Sequence, residues 1–137
     1  MKPKRTINYR PKNKKIFGQE KWVATMVTKK QISFDTVCND VAKFSSAEVG
    51  EVRALMLAYL DRIRTHVLEG EGVNVEGLGT FYPRLTTKMV EDPKDISIAN
   101  CVKNVVIGFR PNSKFLEEVK SAEIALYKGA TDNYEEE

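Results

Sequence analysis

The pattern of apolar and polar positions predicts a helix over residues 34–44. Apolar side chains recur in this segment at spacings of three and four, which places them along one face of a helix. Ser33 stands directly before the segment, and a serine there can accept a hydrogen bond from a free backbone N–H of the first turn. Upstream, residues 22–27 are rich in β-favouring types and predict a short strand.

A second, longer helix is predicted to end near residue 69. Ser45 and Glu48 form the Ser-x-x-Glu pattern of a capping box at its start, and Gly70 is a typical stop signal. Its apolar residues cover more than the face of about 100° that a surface helix buries. In a chain of 137 residues a second copy is the simplest cover, so the pattern predicts a symmetric dimer with this helix near the twofold axis.

Short runs rich in valine, isoleucine, threonine and aromatic residues predict three strands in the second half of the chain. They cover residues 73–75, 80 to about 86, and 102–109. Gly77 and Gly79 allow a sharp turn or a bulge between the first two strands. The segment 88–100 is polar and turn-prone, and Pro111 opens a final helix over residues 114–126.

Two short motifs within this order of elements resemble the HU/IHF family of bacterial histone-like DNA-binding proteins. Residues 77–81 read Gly-Leu-Gly-Thr-Phe where HU proteins have Gly-Phe-Gly-Thr-Phe, and residues 109–111 read Phe-Arg-Pro at the entry to the last helix. The resemblance spans roughly residues 22–124. It is closer to the divergent HU-related branch that carries an N-terminal extension than to the standard HU pattern.

The resemblance implies an α+β, IHF-like DNA-binding fold with two N-terminal helices, a three-stranded antiparallel sheet with an arm, and a C-terminal helix. An extra N-terminal strand region is added, and the implied assembly is an intertwined dimer. The implied segments are a basic N-terminal extension at residues 1–21, an HU-like domain at 22–126 and an acidic C-terminal tail at 127–137. The implied function is that of a non-enzymatic, nucleoid-associated homodimer in the cytoplasm, which binds double-stranded DNA with low sequence specificity and bends or compacts it.

The resemblance also suggests which residues contact DNA. Pro93 resembles the arm-tip proline that enters between base pairs, although three carboxylates between residues 91 and 95 surround it here. Lys114 resembles a phosphate-binding lysine at the start of the last helix, where backbone amides can also hold an anion. Because alternate residues of a strand share a face, Arg84 and Lys88 are predicted to point the same way. The candidate DNA-binding residues are Arg84, Lys88, Pro93, Lys103, Arg110, Asn112, Ser113 and Lys114.

The net charge of +3 is unevenly distributed. Residues 1–30 hold ten Lys and Arg against one Glu, a charge of +9, which leaves −6 for the remainder. The first 15 residues are predicted to form an extended arm or a flexible tail whose cations bind phosphates through counterion release. The possible tail contacts are Lys2, Lys4, Arg5, Arg10, Lys12, Lys14 and Lys15. The acidic residues at 132–137 are a candidate internal competitor for these cations.

A second interpretation stays open, in which an HU-fold scaffold has lost DNA binding and mediates protein–protein interaction. Three features favour it: the carboxylates around Pro93, the nearly neutral HU-like body, and the added N-terminal strand, which can cover or extend a sheet edge. A continuous positive saddle would favour DNA as the partner, whereas a neutral saddle with an apolar patch would favour a protein.

The sequence offers little chemistry for catalysis. His66 is the single histidine, and the glycine-rich residues 70–79 lack the Gly-Lys-Ser/Thr ending of a phosphate-binding loop. Cys38 and Cys101 are predicted to be buried, reduced thiols without a histidine cluster that would complete a metal site. No apolar run approaches the ~18 residues of a membrane span. We therefore predict no enzyme activity, small-molecule substrate, cofactor or metal, and no membrane association.

Overall fold

A computed structural model describes residues 5–128. In chain order its elements are β1 (Thr6–Ile16), β2 (Gln19–Val27), α1 (Phe34–Ser45), α2 (Val49–Leu68), β3 (Val73–Val75), β4 (Gly79–Thr87), α3 (Ile98–Cys101), β5 (Val102–Pro111), α4 (Ser113–Lys120) and β6 (Glu123–Leu126). The chain forms two compact units. The hairpin unit comprises the residues up to Ile32 and from Glu118 onward, and the helical unit is Ser33–Glu117. The region after α4 pairs with β1, and the three segments predicted from the sequence stay a prediction.

Helices α1 and α2 lie where the apolar spacing predicts them, but their connection differs. Ser33 caps α1, since its Oγ accepts a hydrogen bond from a backbone N–H of the first turn at 3.2 Å. The predicted capping box is wrong. Ser45 is the last residue of α1, Ser46 ends that helix with a φ of 63°, and Glu48 makes no side-chain cap for α2. The connection is so short that Ser45 remains within the preceding helix.

Strands β3, β4 and β5 form an antiparallel sheet in that order, which confirms the three predicted strands. Gly79 begins β4 with a φ of 157°, and a Cβ there would overlap the carbonyl oxygen of Arg110 on β5. Only glycine permits so close an approach of the two strands. At Gly108 of β5, a Cβ would lie 2.5 Å from the ring of Tyr82. These two glycines therefore set the spacing and packing of the β4–β5 pair.

The segment between β4 and β5 does not form the β-arm that the resemblance implies. Residues 88–101 contain a 3₁₀ turn at Pro93–Asp95 and the single helical turn α3. Asp92 and Ser97 each cap one of these turns, with side-chain oxygens that accept backbone N–H groups at 2.9 and 3.1 Å. Such local side-chain bonds compete with strand pairing, which accounts for the folded loop.

The hairpin unit holds a second three-stranded sheet, in the order β2-β1-β6. Strand β1 pairs antiparallel with β2 from Asn8 to Ile16, and parallel with β6 over Thr6–Tyr9. Residues 6–15, expected as an extended arm or a flexible tail, therefore belong to a paired strand. Pro11 excludes a helix but is tolerated here, because it lies past the end of the β6 pairing, where β1 has one open edge.

The final helix is shorter than predicted. α4 ends at Lys120, and residues 123–126, predicted as its last turn, form β6. The Ser121 Oγ donates to the Glu118 carbonyl at 2.7 Å in the turn that follows the helix. The composition of residues 123–126 suits a helix, but their pairing with β1 joins distant parts of the chain. Local propensity carries no information about such a contact and is overridden by it.

Few apolar side chains are buried in the part of the chain that the structure describes. The buried hydrophobic residues there are Cys38, Val52 and Cys101. Both cysteines are free and buried, as predicted. Large apolar residues are exposed in many places, with Phe44 at 91% and Leu68 at 75%. No helix between residues 5 and 128 is long and apolar enough to cross a membrane.

Candidate nucleic-acid interface

The register of β4 and β5 gives their sheet a polar and an apolar face. Side chains alternate along a strand, so residues paired in register share a face. The polar face carries Thr80, Tyr82, Arg84 and Thr86 of β4 and Asn104, Val106, Gly108 and Arg110 of β5. The apolar face carries Phe81, Pro83 and Leu85 of β4 and Val105, Ile107 and Phe109 of β5. The two faces therefore suit different partners.

Arg84 and Arg110 are the cations of the polar face, and both are exposed. The Cζ of Arg110 lies 5.2 Å from the ring centre of Tyr82. Tyr82 is directly opposite Gly108, which leaves room for the ring. A cation–π contact of this kind restricts the guanidinium without neutralising its charge. Sequence reasoning overlooked Tyr82, whose role depends on the strand register.

The polar face is positive within a unit that is not. The helical unit holds ten Lys and Arg against twelve Asp and Glu, a charge of −2. Strands β4 and β5 nevertheless carry Arg84, Lys103 and Arg110 and no carboxylate. Among the described residues, neither arginine of the polar face takes part in a salt bridge. Their charges are therefore available to an anion in solution.

The start of α4 is capped by its own chain. The Asn112 Oδ1 accepts the N–H of Lys114 at 3.0 Å and that of Phe115 at 3.4 Å, and the Asn112 N–H donates to the Leu78 carbonyl at 2.7 Å. These amides are not free to hold the anion predicted at this helix start, because Asn112 already satisfies them. Ser113 and Lys114 follow closely after β5 in the sequence. Both residues are exposed and remain candidate DNA contacts.

The apolar face continues onto α2. A cavity of about 400 Å³ lies between them, lined mainly by apolar side chains of α2 together with Phe81 and Ile107. Ile107 is 71% exposed and Leu55 of α2 is 72% exposed. Apolar surface of this extent is typical of an interface rather than of a surface that stays in water.

Comparison with known proteins identifies the family. Residues 4–125 match the HU-HIG family, described as an HU domain fused to a wHTH, Ig or glycine-rich motif. The chain belongs to the HU-HIG family. No curated protein matches its sequence. The HU resemblance of the sequence is therefore confirmed at the level of the family.

Solved structures share the fold of this HU-HIG chain at low sequence identity. An Anabaena HU–DNA cocrystal structure is 22% identical and covers 66% of this chain and 99% of that chain, with a TM-score of 0.52. A mutant HU from Thermotoga maritima is 22% identical and covers 64% and 99%, with a TM-score of 0.49. A candidate DNA-binding protein from Bacteroides vulgatus is 13% identical and covers 90% of this chain, with a TM-score of 0.60. This chain spans 48% of the Bacteroides protein. The match to the Anabaena HU structure supports an HU-like α+β fold.

Two predicted strand cations of the HU-HIG chain, Lys88 and Lys103, lie next to an irregularity in the register of β4 and β5. The register shifts where β4 ends at Thr87, and the N–H of Lys88 lies beyond this shift, 2.8 Å from the carbonyl of Cys101. The irregularity is one unpaired residue on β5, so it does not interrupt the alternation along β4, and the common face of Arg84 and Lys88 stays a prediction. Lys103 lies at the same irregularity on β5 and has no partner in the register.

Pro93 occupies the first position of the 3₁₀ turn, directly after the capping residue Asp92. The fixed φ of proline suits that position, which accounts for the residue without a ligand. Met89 and Ile98, on either side of the turn, are 101% and 83% exposed. Insertion of Pro93 into DNA stays a prediction, and the structure provides no β-arm that would present this proline.

The predicted tail contacts divide by position. Lys2, Lys4 and the acidic residues 132–137 lie outside the described residues. Arg5 precedes β1, and its Nη1 lies 3.8 Å from the Glu118 Oε2. Four others lie on β1: Arg10, Lys12, Lys14 and Lys15. They are therefore part of a sheet, where only alternate residues share a face.

His66 lies at the end of α2, close to two carboxylates. Its Nδ1 is 3.1 Å from the Glu71 Oε1, and ligand atoms of His66, Glu69 and Glu71 all lie within 4.8 Å of one another. The hydrogen bond with His66, a second with Glu69 and the charge of His66 hold the pKa of Glu71 below its ordinary value. Within residues 5–128 these are the side chains that could together hold a cation, although the His66–Glu71 pair already explains their positions.

Proposed function

We propose that this chain is a non-enzymatic architectural protein that binds double-stranded DNA with low sequence specificity, as a homodimer, and bends or compacts the DNA. The observation that carries the proposal is the polar face of β4 and β5, with two exposed arginines and no carboxylate on either strand. The Anabaena relative, an HU–DNA complex, supports DNA as a ligand of this fold.

The spacing of the two arginines suits a duplex backbone. Arg110 is paired with Thr80, four residues from Arg84 along β4. At about 3.3 Å per residue their backbones lie about 13 Å apart along the sheet. Each strand of a duplex carries a phosphate every ~3.4 Å along the axis, so the pair spans about four phosphates. Guanidinium groups bind phosphate oxygens in a bidentate manner, which favours arginine at both positions.

Low sequence specificity follows from what the polar face lacks. Base pairs are read by side chains with paired donors and acceptors, of which asparagine is one. Asn104 is the amide side chain of this face, and its Oδ1 already accepts the Val105 N–H at 2.9 Å. The remaining polar groups are cations and hydroxyls, which suit phosphate contacts. Lys88, Lys103, Ser113 and Lys114 are proposed as further phosphate contacts at the edges of the face.

The homodimer is supported by the uncovered apolar face. Val105 and Ile107 of the sheet are 61% and 71% exposed, and Leu55 and Leu60 of α2 are 72% and 44% exposed. A twofold axis would bury the same surface on both copies. Burial of apolar area contributes about 25 cal/mol per Å², so covering this surface would stabilise the fold substantially.

Fluorescence anisotropy with a duplex of about 30 base pairs tests DNA binding and assigns it to the polar face. We expect micromolar or tighter binding at low salt that weakens linearly on a log–log salt plot. The double variant Arg84→Gln/Arg110→Gln should reduce the slope by about two units, because each phosphate contact contributes about 0.9. Lys43→Gln/Lys120→Gln removes the same charge elsewhere and should leave the slope unchanged.

Two results would contradict the proposal. No binding by the unmodified chain at low salt would exclude the DNA-binding role. Equal slopes for the two double variants would exclude the polar face as the site. Sedimentation at micromolar concentration tests the assembly separately, since a monomer there would exclude the proposed dimer.

A second candidate function is a protein-binding scaffold, and the loop between β4 and β5 favours it. Met89, Ile96 and Ile98 are 101%, 65% and 83% exposed. Met89 and Ile96 line a cavity of about 430 Å³, and three carboxylates lie between residues 91 and 95. The carboxylates repel DNA phosphates, and the exposed apolar side chains suit a protein partner. Absence of DNA binding in the anisotropy experiment would direct attention to this surface.

A further inference from the structure

The outer part of the β1–β2 hairpin, residues 10–25, is an exposed two-stranded ribbon. β6 pairs with β1 over Thr6–Tyr9, whereas β2 pairs with β1 as far as Ile16. The ribbon thus extends about 20 Å past β6, and among residues 5–128 no third strand lies beside it. Every residue from 14 to 24 is exposed, and these residues include both faces of the ribbon. A two-stranded hairpin is only marginally stable in water, so contact with a partner would order it.

One face of the ribbon is basic. Register and alternation place on it Arg10, Lys12, Lys14 and Lys21. Lys14 lies directly opposite Lys21, and like charges in that position destabilise a strand pair. On the other face Lys15 lies opposite Glu20, an attractive pair. The basic face therefore keeps a charge repulsion that a bound polyanion would relieve.

The tip of the ribbon presents an aromatic ring to solvent. Phe17 and Gly18 join the strands with φ values of 52° and 76°, the positive values that a two-residue type I′ turn requires. Glycine or asparagine suits such positions, whereas phenylalanine there is strained. Phe17 is 102% exposed, so its ring gains no packing within the chain that would offset this strain. A strained, fully exposed ring at the end of a basic ribbon indicates a contact with another molecule.

We propose that residues 10–25 form a DNA-inserting arm, in which the basic face binds phosphates and Phe17 enters between base pairs. The inference rests on the proposed DNA binding. Duplex DNA matches both features, because its phosphates complement the row of cations and its base steps accept apolar wedges that kink the helix. A two-stranded ribbon also has the dimensions to enter a groove.

The proposed arm supplies the extended DNA-inserting element that the helical unit lacks. The segment at 88–101, where the HU resemblance implies an arm, is folded into short turns and carries three carboxylates near Pro93. The hairpin ribbon combines cations with an apolar tip on an extended support. Bending of DNA is therefore assigned to Phe17, and the polar face of β4 and β5 holds the duplex.

Phe17→Asn tests the wedge without weakening the turn, because asparagine tolerates a positive φ. Energy transfer between dyes at the two ends of a saturated duplex measures bending by the full-length protein. We expect the unmodified protein to shorten the end-to-end distance and Phe17→Asn to lose most of this change while still binding. Met89→Asn is the matched control, since Met89 is 101% exposed and lies outside the ribbon. Equal bending by Phe17→Asn and the unmodified protein would overturn the wedge, as would loss of bending in the control alone.

The basic face is tested by substitution, because deleting the first 15 residues would remove most of β1. Lys12→Gln/Lys14→Gln/Lys21→Gln should weaken binding at low salt roughly tenfold or more and reduce the log–log slope by about three units. The control Lys29→Gln/Lys43→Gln/Lys120→Gln removes the same charge at exposed positions outside the ribbon. Equal slopes for the two triple variants would overturn the phosphate-binding role of this face.

These variants separate the arm from the proposed function. A slope that falls in Arg84→Gln/Arg110→Gln but not in the Lys12, Lys14 and Lys21 variant keeps DNA binding and removes the arm. The opposite result keeps the arm and removes the polar face of β4 and β5. Failure of the unmodified chain to bind any duplex at low salt would overturn both.

Discussion

The two three-stranded sheets of this chain differ in what lies against them. The β3-β4-β5 sheet turns one face toward α2, where a cavity lined by Phe81 and Ile107 continues an apolar surface, and presents arginines on the other. The β2-β1-β6 sheet loses its third strand after Tyr9 and continues as a ribbon exposed on both faces. The first sheet therefore packs one face against a helix, whereas the outer part of the second sheet presents both faces to solvent.

The two units also differ in charge. The helical unit carries −2, although it contains the elements typical of an HU fold, whereas residues 1–32 carry +9. A judgement of DNA affinity from the HU-like body alone would therefore overlook most of the positive charge. The comparison teaches that an acidic loop at the usual arm position does not exclude DNA, provided that another basic element of the chain can replace it.

The largest difference between the sheets should appear at their glycines. Gly79→Ala places a Cβ against the Arg110 carbonyl and should lower the free energy of unfolding by about 3 kcal/mol or more. Gly18→Ala also requires a positive φ, but no heavy atom lies within 4 Å of the added Cβ. It should cost only about 1 kcal/mol. Chemical denaturation of both variants measures the difference, and similar losses would show that the contact between the added Cβ and the Arg110 carbonyl does not cause the loss at position 79.

The dimer should depend on one sheet only. Ile107 and Ile124 are the same residue type with 71% and 70% exposure, one in each sheet. Ile107→Asp would place a carboxylate in the proposed interface and should weaken dimerisation at least a hundredfold, about 3 kcal/mol. Ile124→Asp should leave dimerisation unchanged. Sedimentation over a concentration series measures both, and dissociation caused by Ile124→Asp would move the interface to the hairpin unit.

Charge reversal should separate stability from binding on the hairpin. Lys21→Glu replaces the repulsion with Lys14 by an attraction and should raise stability by about 0.2–1 kcal/mol while weakening DNA binding. Lys15→Glu creates a repulsion with Glu20 and should lower stability by a similar amount. Thermal unfolding and anisotropy measure the two effects. A Lys21→Glu variant that binds DNA as well as the unmodified protein would argue against phosphate contacts on this face.

The smallest effect is expected at the end of α2. The pKa of Glu71 lies below its ordinary value because of the hydrogen bond with His66, that with Glu69, and the charge of His66. The stability it contributes is therefore fully present above its ordinary pKa and is lost as the pH falls through the lower, folded-state pKa. His66→Ala should raise the pKa of Glu71 toward its ordinary value, which an NMR titration of the carboxyl group measures. An unchanged titration would show that His66 does not cause the shift.

Local patterns predicted most of the elements. The Ser33 cap, both long helices and the three strands of the helical unit lie close to their expected places, because each depends on spacing or on residues adjacent in sequence. The predictions were wrong where the same residues suit two different local structures. Ser45 suits a cap but ends α1, and residues 123–126 suit a helix but pair as β6.

The candidate site was predicted less completely. Arg84 and Arg110 share a face, and that grouping depends on an uninterrupted register between β4 and β5. Lys103 has no partner on β4, because the register shifts between Thr86 and Thr87, and such a shift leaves no clear mark in the sequence. Lys21 was overlooked because its place opposite Lys14 becomes visible only once the Phe17–Gly18 turn is known to join paired strands.

The sequence by itself determined the helices, the strands, the resemblance to HU proteins and the concentration of positive charge near the N-terminus, since these depend on residue type and short spacing. Only the tertiary structure decided that the basic segment is a strand with one cationic face, that the loop at 88–101 is folded, and that β6 joins β1. Each of these depends on which strands pair and in which register. Pairing is decided by contacts between residues far apart in the chain, and local patterns do not record them.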